Sequence, residues 1–398
     1  MKEGWQEKKL GEVCKIINGG TPLTTKKEYW GSEHLWITPA EMSNLQTPYI
    51  YDTRRKLSSL GLSKSSATLI QPYSVIMSSR APIGNLVINT APMATNQGCK
   101  SFSPNSLLDY KFLYYSILNK RQYIISLGDG ATFDEVSSIK LKNVTIPLPP
   151  LPEQHRIVSI IDKVFEALTQ AKKETEINLL NVKEIFQSEL NRIFDKKGDG
   201  WEEKKLIDLC FFENGDRGKN YPSRSFQKSS GIPFINAGHL AESHIDFTSM
   251  NYISEDTFNK LTSGKIKPYD ILFCLRGSLG KFAKVNNLQK GAIASSLVIM
   301  RTKINLSQNF LFYYLKSSTC KKMIFKFAGG TAQPNLSATN LKEFKIFTPP
   351  IDEQQTVTNY LDKLQQNTTA LEIEYANKLL YIEQLKHSIL HQAFSGNL

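Results

Sequence analysis

The chain has no apolar run able to cross a bilayer. Stretches such as Asn309 to Leu315 fall far short of the roughly 20 residues a spanning helix needs. The opening Met1-Lys2-Glu3-Gly4-Trp5 lacks the apolar segment of a secretory signal, so a soluble cytoplasmic protein is expected. Cysteine is scarce. Cys14, Cys99, Cys210, Cys274 and Cys320 are odd in number and widely spaced, with no C-x-x-C pair. That excludes a disulfide framework and a cysteine-based zinc site, and leaves small buried hydrophobes.

Catalytic motifs are missing as well. The histidines do not form H-E-x-x-H or a similar ligand spacing, so no metal site is expected. Gly277-Ser278-Leu279-Gly280-Lys281 has two residues between its glycines where a phosphate loop needs four, and Phe282 stands where a magnesium-binding Ser or Thr belongs. Gly128-Asp129-Gly130 and Gly215-Asp216-Arg217-Gly218 do not complete a G-x-G-x-x-G turn. A base-flipping adenine methyltransferase needs a polar residue before Pro-Pro and an aromatic after it. Leu148-Pro149-Pro150-Leu151 and Thr348-Pro349-Pro350-Ile351 have neither. The expectation is a protein that binds, with no catalytic residues of its own.

What is present is positive charge, unevenly placed. The net charge of +12 divides into +6 over residues 1–150, zero over 151–197, +9 over 198–350 and −3 over 351–398. Two large segments carry all of it, as expected if they face a polyanion.

The chain is also written twice. Gly4-Trp5-Gln6-Glu7-Lys8-Lys9-Leu10, ending at Cys14, returns as Gly200-Trp201-Glu202-Glu203-Lys204-Lys205-Leu206, ending at Cys210. Tyr73, Arg80 and Gly84 face Tyr269, Arg276 and Gly280, and Gly130, Leu141-Lys142, Pro149-Pro150 and Glu153-Gln154 face Gly330, Leu341-Lys342, Pro349-Pro350 and Glu353-Gln354. A period near 200 is too long for a solenoid, so the chain is a duplicated unit of globule plus tail.

Each tail reads as a long helix. Pro149-Pro150 and Pro349-Pro350 stop the preceding strand, and Pro152, or Asp352 with Gln355, starts the helix. Heptad phase places Ile157, Ile161, Val164, Leu168, Ala171, Val182 and Ile185 on one seam, interrupted by Thr175 and Asn178. In the second tail the seam is Val357, Leu361, Leu364, Leu371, Tyr375, Ile382, Leu385 and Ile389, interrupted by Thr368 and Lys378. Two helices in one phase predict a coiled coil, antiparallel because the first must lead from globule to globule and the second must return. Outward Phe165, Phe186 and Tyr381 are candidates for docking partner subunits. The expected fold is mixed α/β with a pseudo-twofold repeat: globules at 1–150 and 198–350, helices at 151–197 and 351–398.

Gly-Trp with a charged run opening each half, Gly19-Gly20-Thr21-Pro22, Trp36-Ile37-Thr38, Ser79-Arg80 to Gly84, and the twice-written Leu-Lys, Pro-Pro, Glu-Gln junction resemble the specificity subunits of type I restriction-modification systems. The resemblance covers essentially the whole chain. It implies a non-catalytic subunit that reads double-stranded DNA and recruits two modification subunits, which use S-adenosylmethionine, and restriction subunits, which use ATP and magnesium. Those cofactors would bind the partners. In the second half Asn214-Gly215-Asp216-Arg217 replaces Gly-Gly-Thr-Pro, so base-reading roles do not copy between halves. A single-chain modification enzyme and a scaffold that binds only proteins stay open as other readings.

Arg80 and Arg276 lead the candidates for DNA contact, because each follows an apolar strand and precedes a glycine-bearing turn. The alternative is a structural arginine paired with a carboxylate. Thr21, Thr38, Asn96 and Gln97 in the first globule, and Asn236, His239 and Ser295 in the second, complete the set, held as a group, as polar loop residues with reach to bases; for each of them the alternative is a turn or cap residue. If the helices set the distance between half-sites, one extra heptad after Asn178 and after Lys378 adds about 10 Å, or about 3 base pairs of preferred gap. Competition among DNAs differing only in gap length checks this, and an unchanged preferred gap would rule the helices out as the ruler.

Overall fold

The computed structural model describes residues 3–45, 47–80, 82–128, 135–195, 198–223, 228–241, 243–286, 288–328 and 335–398, so Gly130 and Gly330 of the repeat lie outside it. The chain divides into two units, Met1–Thr175 with Asn377–Leu398, and Glu176–Ala376. Each holds one globule and a stretch of both long helices, Leu151–Asp195 and Ile351–Ser395. All five cysteines are buried and unpaired. Among the described residues no helix is long and apolar enough to cross a membrane.

In the first unit the charged opening run forms the strand Gln6–Lys9 and pairs antiparallel with Thr145–Leu148, fastening the start of the globule to its end. Gly4, at φ +79°, sits in the left-handed region that glycine alone enters freely, and it turns the chain so that Trp5 is buried. A five-stranded sheet follows the order Cys14–Asn18, Cys99–Pro104, Val75–Ser78, Leu86–Asn89, Tyr49–Ile50. A second sheet, of four strands, has the order Trp30–Gly31, Arg55–Leu57, His34–Ile37, Met93–Thr95. Val75, Phe102, Phe112 and Ile146 form a core that Ile157, Ile161, Leu390 and Phe394 of the long helices complete.

The second unit repeats the plan. Glu202–Lys205 pairs with Lys345–Thr348, and Trp201 is buried with its Nε1 donating to Glu353 Oε1 at 2.9 Å. Its sheets are Cys210–Asn214, Leu297–Thr302, Ile271–Cys274, Phe282–Lys284 and Asn251–Ile253, Ile232–Ile235, Ala292–Ile293. Phe273, Phe310 and Tyr314 pack with Leu190, Phe194 and Leu361.

The Glu-Gln after each Pro-Pro has a physical reason. Gln154 is fully buried; its Oε1 accepts from Asp109 N at 2.8 Å, and its Nε2 donates to Leu107 O at 2.9 Å and Pro149 O at 2.8 Å. Gln354, equally buried, does the same with Ser307 N, Asn305 O and Pro349 O. One amide thus satisfies three main-chain groups where strand, globule helix and long helix meet.

The long helices are antiparallel. In the first unit Lys172 Nζ meets Glu383 Oε1 at 2.9 Å while Arg156 Nη2 donates to Leu398 O at 2.7 Å, so rising numbers in one helix meet falling numbers in the other. In the second unit the end of the first helix packs on the beginning of the second, with Tyr360 OH donating to Glu189 Oε1 at 3.0 Å. Of the residues expected on the seam, Ile157, Ile161, Val182, Leu361 and Ile382 are buried, and Val164, Leu168, Val357, Leu364 and Ile389 are half-buried. Ile185, Leu371 and Leu385, expected to be buried with them, are instead 48%, 39% and 46% exposed. A straight helix has 3.6 residues per turn against 3.5 in a strict heptad, so the buried stripe drifts onto later residues, reaching Phe186 and Leu190 in the first helix. Phe165 and Phe186 are corrected too. Phe165 lies edge-on to Tyr115 at 5.6 Å in the first unit and Phe186 stands 6.3 Å from Tyr313 in the second, so both bind helix to globule. Tyr381 is 63% exposed.

Replacing Gln154 by Ala orphans three main-chain groups and is expected to cost about 2 to 3 kcal/mol of stability. Urea titration of the full chain reads it, and a midpoint shift equivalent to less than about 0.5 kcal/mol would mean that water substitutes for the amide.

Candidate nucleic-acid interface

In the first globule His34–Ile37 and Met93–Thr95 run parallel, with Ile37 opposite Thr95, so both end at one edge. There Asn96 N donates to Ile37 O at 2.9 Å. Thr38 follows Ile37, and its hydroxyl caps the short helix Pro39–Met42 by accepting from Glu41 N. The strand Val75–Ser78, paired with the next strand through Ser78 and Cys99, delivers Arg80 to the same edge, and Ser79 N donates to Gly98 O at 2.8 Å.

The Gly19-Gly20 loop closes over this edge. Gly20 N donates to Thr95 O at 2.8 Å, and buried Trp36 donates from Nε1 to Gly20 O at 3.0 Å. A side chain on Gly19 would place its Cβ 1.9 Å from Asn96 O, so only glycine lets the loop approach. Thr21 then lands beside Asn96, whose Nδ2 donates to Thr21 Oγ1 at 2.8 Å and to Gln97 Oε1 at 2.9 Å, and Thr21 and Gln97 also touch. Five residues from four separate segments, Thr21, Thr38, Arg80, Asn96 and Gln97, thus meet at one sheet edge. Arg80 is exposed, and its Nε donates to Glu135 Oε2 at 2.9 Å, a carboxylate partner of the kind the sequence left open. Burial alone would raise the Glu135 carboxyl, but Lys100 and Arg80 together hold it below the ordinary range.

The second globule builds the same edge from other side chains. Ile232–Ile235 and Ala292–Ile293 run parallel, and Ala294 N donates to Ile235 O at 2.7 Å. Asn236 occupies the place of Thr38, with its Oδ1 accepting from Gly238 N at 2.8 Å. Ser295 is half-buried in the turn, and Arg276 is exposed beside it, with Leu275 N donating to Ser296 O at 2.9 Å. His239 is corrected: it is 3% exposed, its Nδ1 accepts from Asn236 N at 3.2 Å, and its Nε2 donates to Ser249 O at 3.1 Å. Both ring nitrogens are used, so it shapes the turn and has nothing to offer a base.

Arg217 is the residue that sequence reasoning missed. It stands 196 positions after Thr21, and its Nη2 donates to Ser295 O at 3.2 Å. With Phe234 in place of Trp36 the indole anchor is gone, and buried Asp216 replaces it. The carboxylate accepts from Thr262 N and Oγ1, both at 2.9 Å, and from Gly218 N at 2.7 Å, which hold it below the ordinary carboxylate range. The offset was readable, but the loss of Gly-Gly-Thr-Pro hid the correspondence.

Known proteins place this arrangement. A family profile described as "Type I restriction modification DNA specificity domain" matches residues 2–179 and again 198–381. The type I restriction enzyme MjaIX specificity subunit of Methanocaldococcus jannaschii is 26% identical over 99% of this chain and 93% of its own length. The EcoKI specificity subunit of Escherichia coli is 22% identical over 100% and 90%. Among solved structures, the HsdS subunit from Thermoanaerobacter tengcongensis shares the fold with a TM-score of 0.71 at 22% identity, covering 100% of this chain and 98% of that one. A chain from a study of complex assembly and conformational transition of the type I R-M system shares it at 0.78 and 22%, covering 100% and 99%.

Arg276 is exposed and His239 is not, which separates their variants. Arg276→Ala is expected to leave the urea midpoint unchanged and weaken duplex DNA binding by about 1 to 3 kcal/mol. His239→Ala is expected to lower stability by about 1 to 2 kcal/mol by orphaning a capped N–H. A fully stable His239→Ala, or an Arg276→Ala with undiminished affinity, would contradict the assignment.

Proposed function

The chain belongs to the type I restriction-modification DNA specificity family, and from that premise we propose that it reads a DNA target in two unequal halves, one per globule, with no catalysis of its own. The supporting observation is the shared sheet edge. In both globules two parallel strands end together and gather an exposed arginine with polar side chains from separate loops. The globules at 1–150 and 198–350 are also the segments that carry the net positive charge. Phosphate contacts would fix position, and side chains among those gathered at the edge would read base edges in a groove.

The halves differ because the side chains do. Thr21, Asn96 and Gln97 stand in one globule where Arg217, Ala294 and Ser295 stand in the other, and donor patterns that differ read different bases. In this reading the residues 151–197 and 351–398 form the helical part and dock two modification subunits, one per repeat, with restriction subunits joining the assembly. The adenine transfer from S-adenosylmethionine and the ATP- and magnesium-dependent steps belong to those partners. Exposed Tyr381 remains a docking candidate.

Two measurements test this. Sequencing of methylated adenines in cells expressing the chain with its modification subunits is expected to show a bipartite, non-palindromic target, and a palindrome would count against two different readers. Affinity for duplex DNA is expected to fall by about a thousandfold between 50 and 200 mM salt if some six phosphates are contacted. Near salt-independence would favour the protein-only scaffold, and methyl transfer by the chain alone would make it an enzyme.

A further inference from the structure

The two repeats carry an arginine at the same point of the fold, and what holds it differs. Arg80 forms an antiparallel bridge with Glu135, and Arg276 forms the same bridge with Asn335. The next main-chain bond is shared as well: Val136 N donates to Ser79 O and Leu336 N to Leu275 O, both at 3.0 Å. The backbone is therefore equivalent, and the change from Glu to Asn is one of side-chain chemistry.

Glu135 is held from behind. Its Oε2 accepts from Arg80 Nε at 2.9 Å, and its Oε1 accepts from Lys100 Nζ at 3.2 Å. The Lys100 side chain is only 8% exposed, so its charge needs that carboxylate. The corresponding residue of the second repeat is found through the strand pairing, since Lys100 stands opposite Asn18 and Val298 opposite Asn214. Val298 is fully buried. The Lys-Glu couple of the first globule is thus replaced, as a couple, by Val-Asn in the second. Arg276 is exposed, and its guanidinium forms no hydrogen bond or ion pair among the described residues.

We propose that Glu135 is a specificity-determining positioning residue, which holds Arg80 by its Nε so that the two terminal nitrogens face a guanine O6 and N7 in the first half-site. This inference rests on the reading of the sheet edge as the DNA-recognition end. A guanidinium gripped at Nε loses most of its rotamers before binding and presents its remaining donors as a fixed fork, the geometry that guanine's two acceptors match. The charge of Glu135 also selects between ligands. A carboxylate beside the fork repels a phosphate and tolerates an uncharged base edge. Arg276, with Asn335 beside it, has neither the grip nor the repulsion and contacts phosphate.

The test uses the full chain and a pool of duplex DNA with randomised sequence, reading the bound fraction by sequencing and the affinity for the whole pool by titration. The wild-type chain is expected to prefer guanine at one position of one half-site. Lys100→Val with Glu135→Asn, the combination the second repeat already packs, is expected to lose that preference by about tenfold while pool affinity changes less than about threefold. Arg276→Ala is expected to lower affinity for all sequences alike, with no change of preference at any position. Should the double variant fail to fold, Glu135→Gln keeps the shape and an acceptor for Lys100 but not the charge, and is expected to weaken the same preference by about threefold. An intact guanine preference in a folded Lys100→Val, Glu135→Asn or Glu135→Gln protein, with Arg80→Ala losing it, would overturn the role of Glu135. If Arg80→Ala alters neither preference nor affinity, the reading of the edge as the recognition end fails instead.

Discussion

The outward-facing side chains at the tip of each globule depend on one constraint: two parallel strands stop at the same level and are tied there by a single main-chain bond, Asn96 to Ile37 in the first repeat and Ala294 to Ile235 in the second. Parallel strands point their carbonyl ends the same way, so the loops that follow both must leave from one edge. A third strand delivers an arginine to that edge, and a glycine loop closes over it. Side chains from four distant segments converge because main-chain groups have already been paired, and the pairing makes no demand on what those side chains are.

The second fixed point is the buried glutamine at the foot of each long helix. Gln154 and Gln354 bond to the main chain of the globule on one side and to the Pro-Pro carbonyl on the other. A helix rooted this way starts at a defined angle to its globule. Further along the first helix Phe165 meets Tyr115 and fixes its face, and in the second unit Phe186, near the far end of the same helix, packs against Tyr313. Recognition edge and helix root belong to one body within each unit.

The parts of this plan that were legible in the sequence are those where residue type and geometry correspond one to one. Pro-Pro can only end a strand, a period of 200 can only be a duplication, and the arginines follow apolar strands in both copies. The parts that stayed hidden were set by three dimensions. Ile185, Leu371 and Leu385 fit a 3.5-residue seam, but the helix winds at 3.6 and the facing surface changes from helix to globule, which gives Phe186 the place assigned to Ile185. His239 looks like a loop donor until its two ring nitrogens are found engaged inside the turn. Arg217 was masked because Asp216 and Thr262 rebuild by hydrogen bonding a loop that the first repeat builds with Gly20 and Trp36.

That last substitution shows how such an edge can diverge without losing its scaffold. An exposed residue such as Arg276 changes at little cost to stability, because its guanidinium faces water. A buried one changes together with a partner: an indole and a glycine give way to a phenylalanine and an aspartate, and a buried lysine and its glutamate give way to a valine and an asparagine. Leaving either member alone would strand a charge or a polar group away from water, at a cost comparable to much of a domain's stability. Chemistry at the recognition edge is therefore expected to vary in linked sets, with the outermost side chains free and the layer beneath them constrained in pairs.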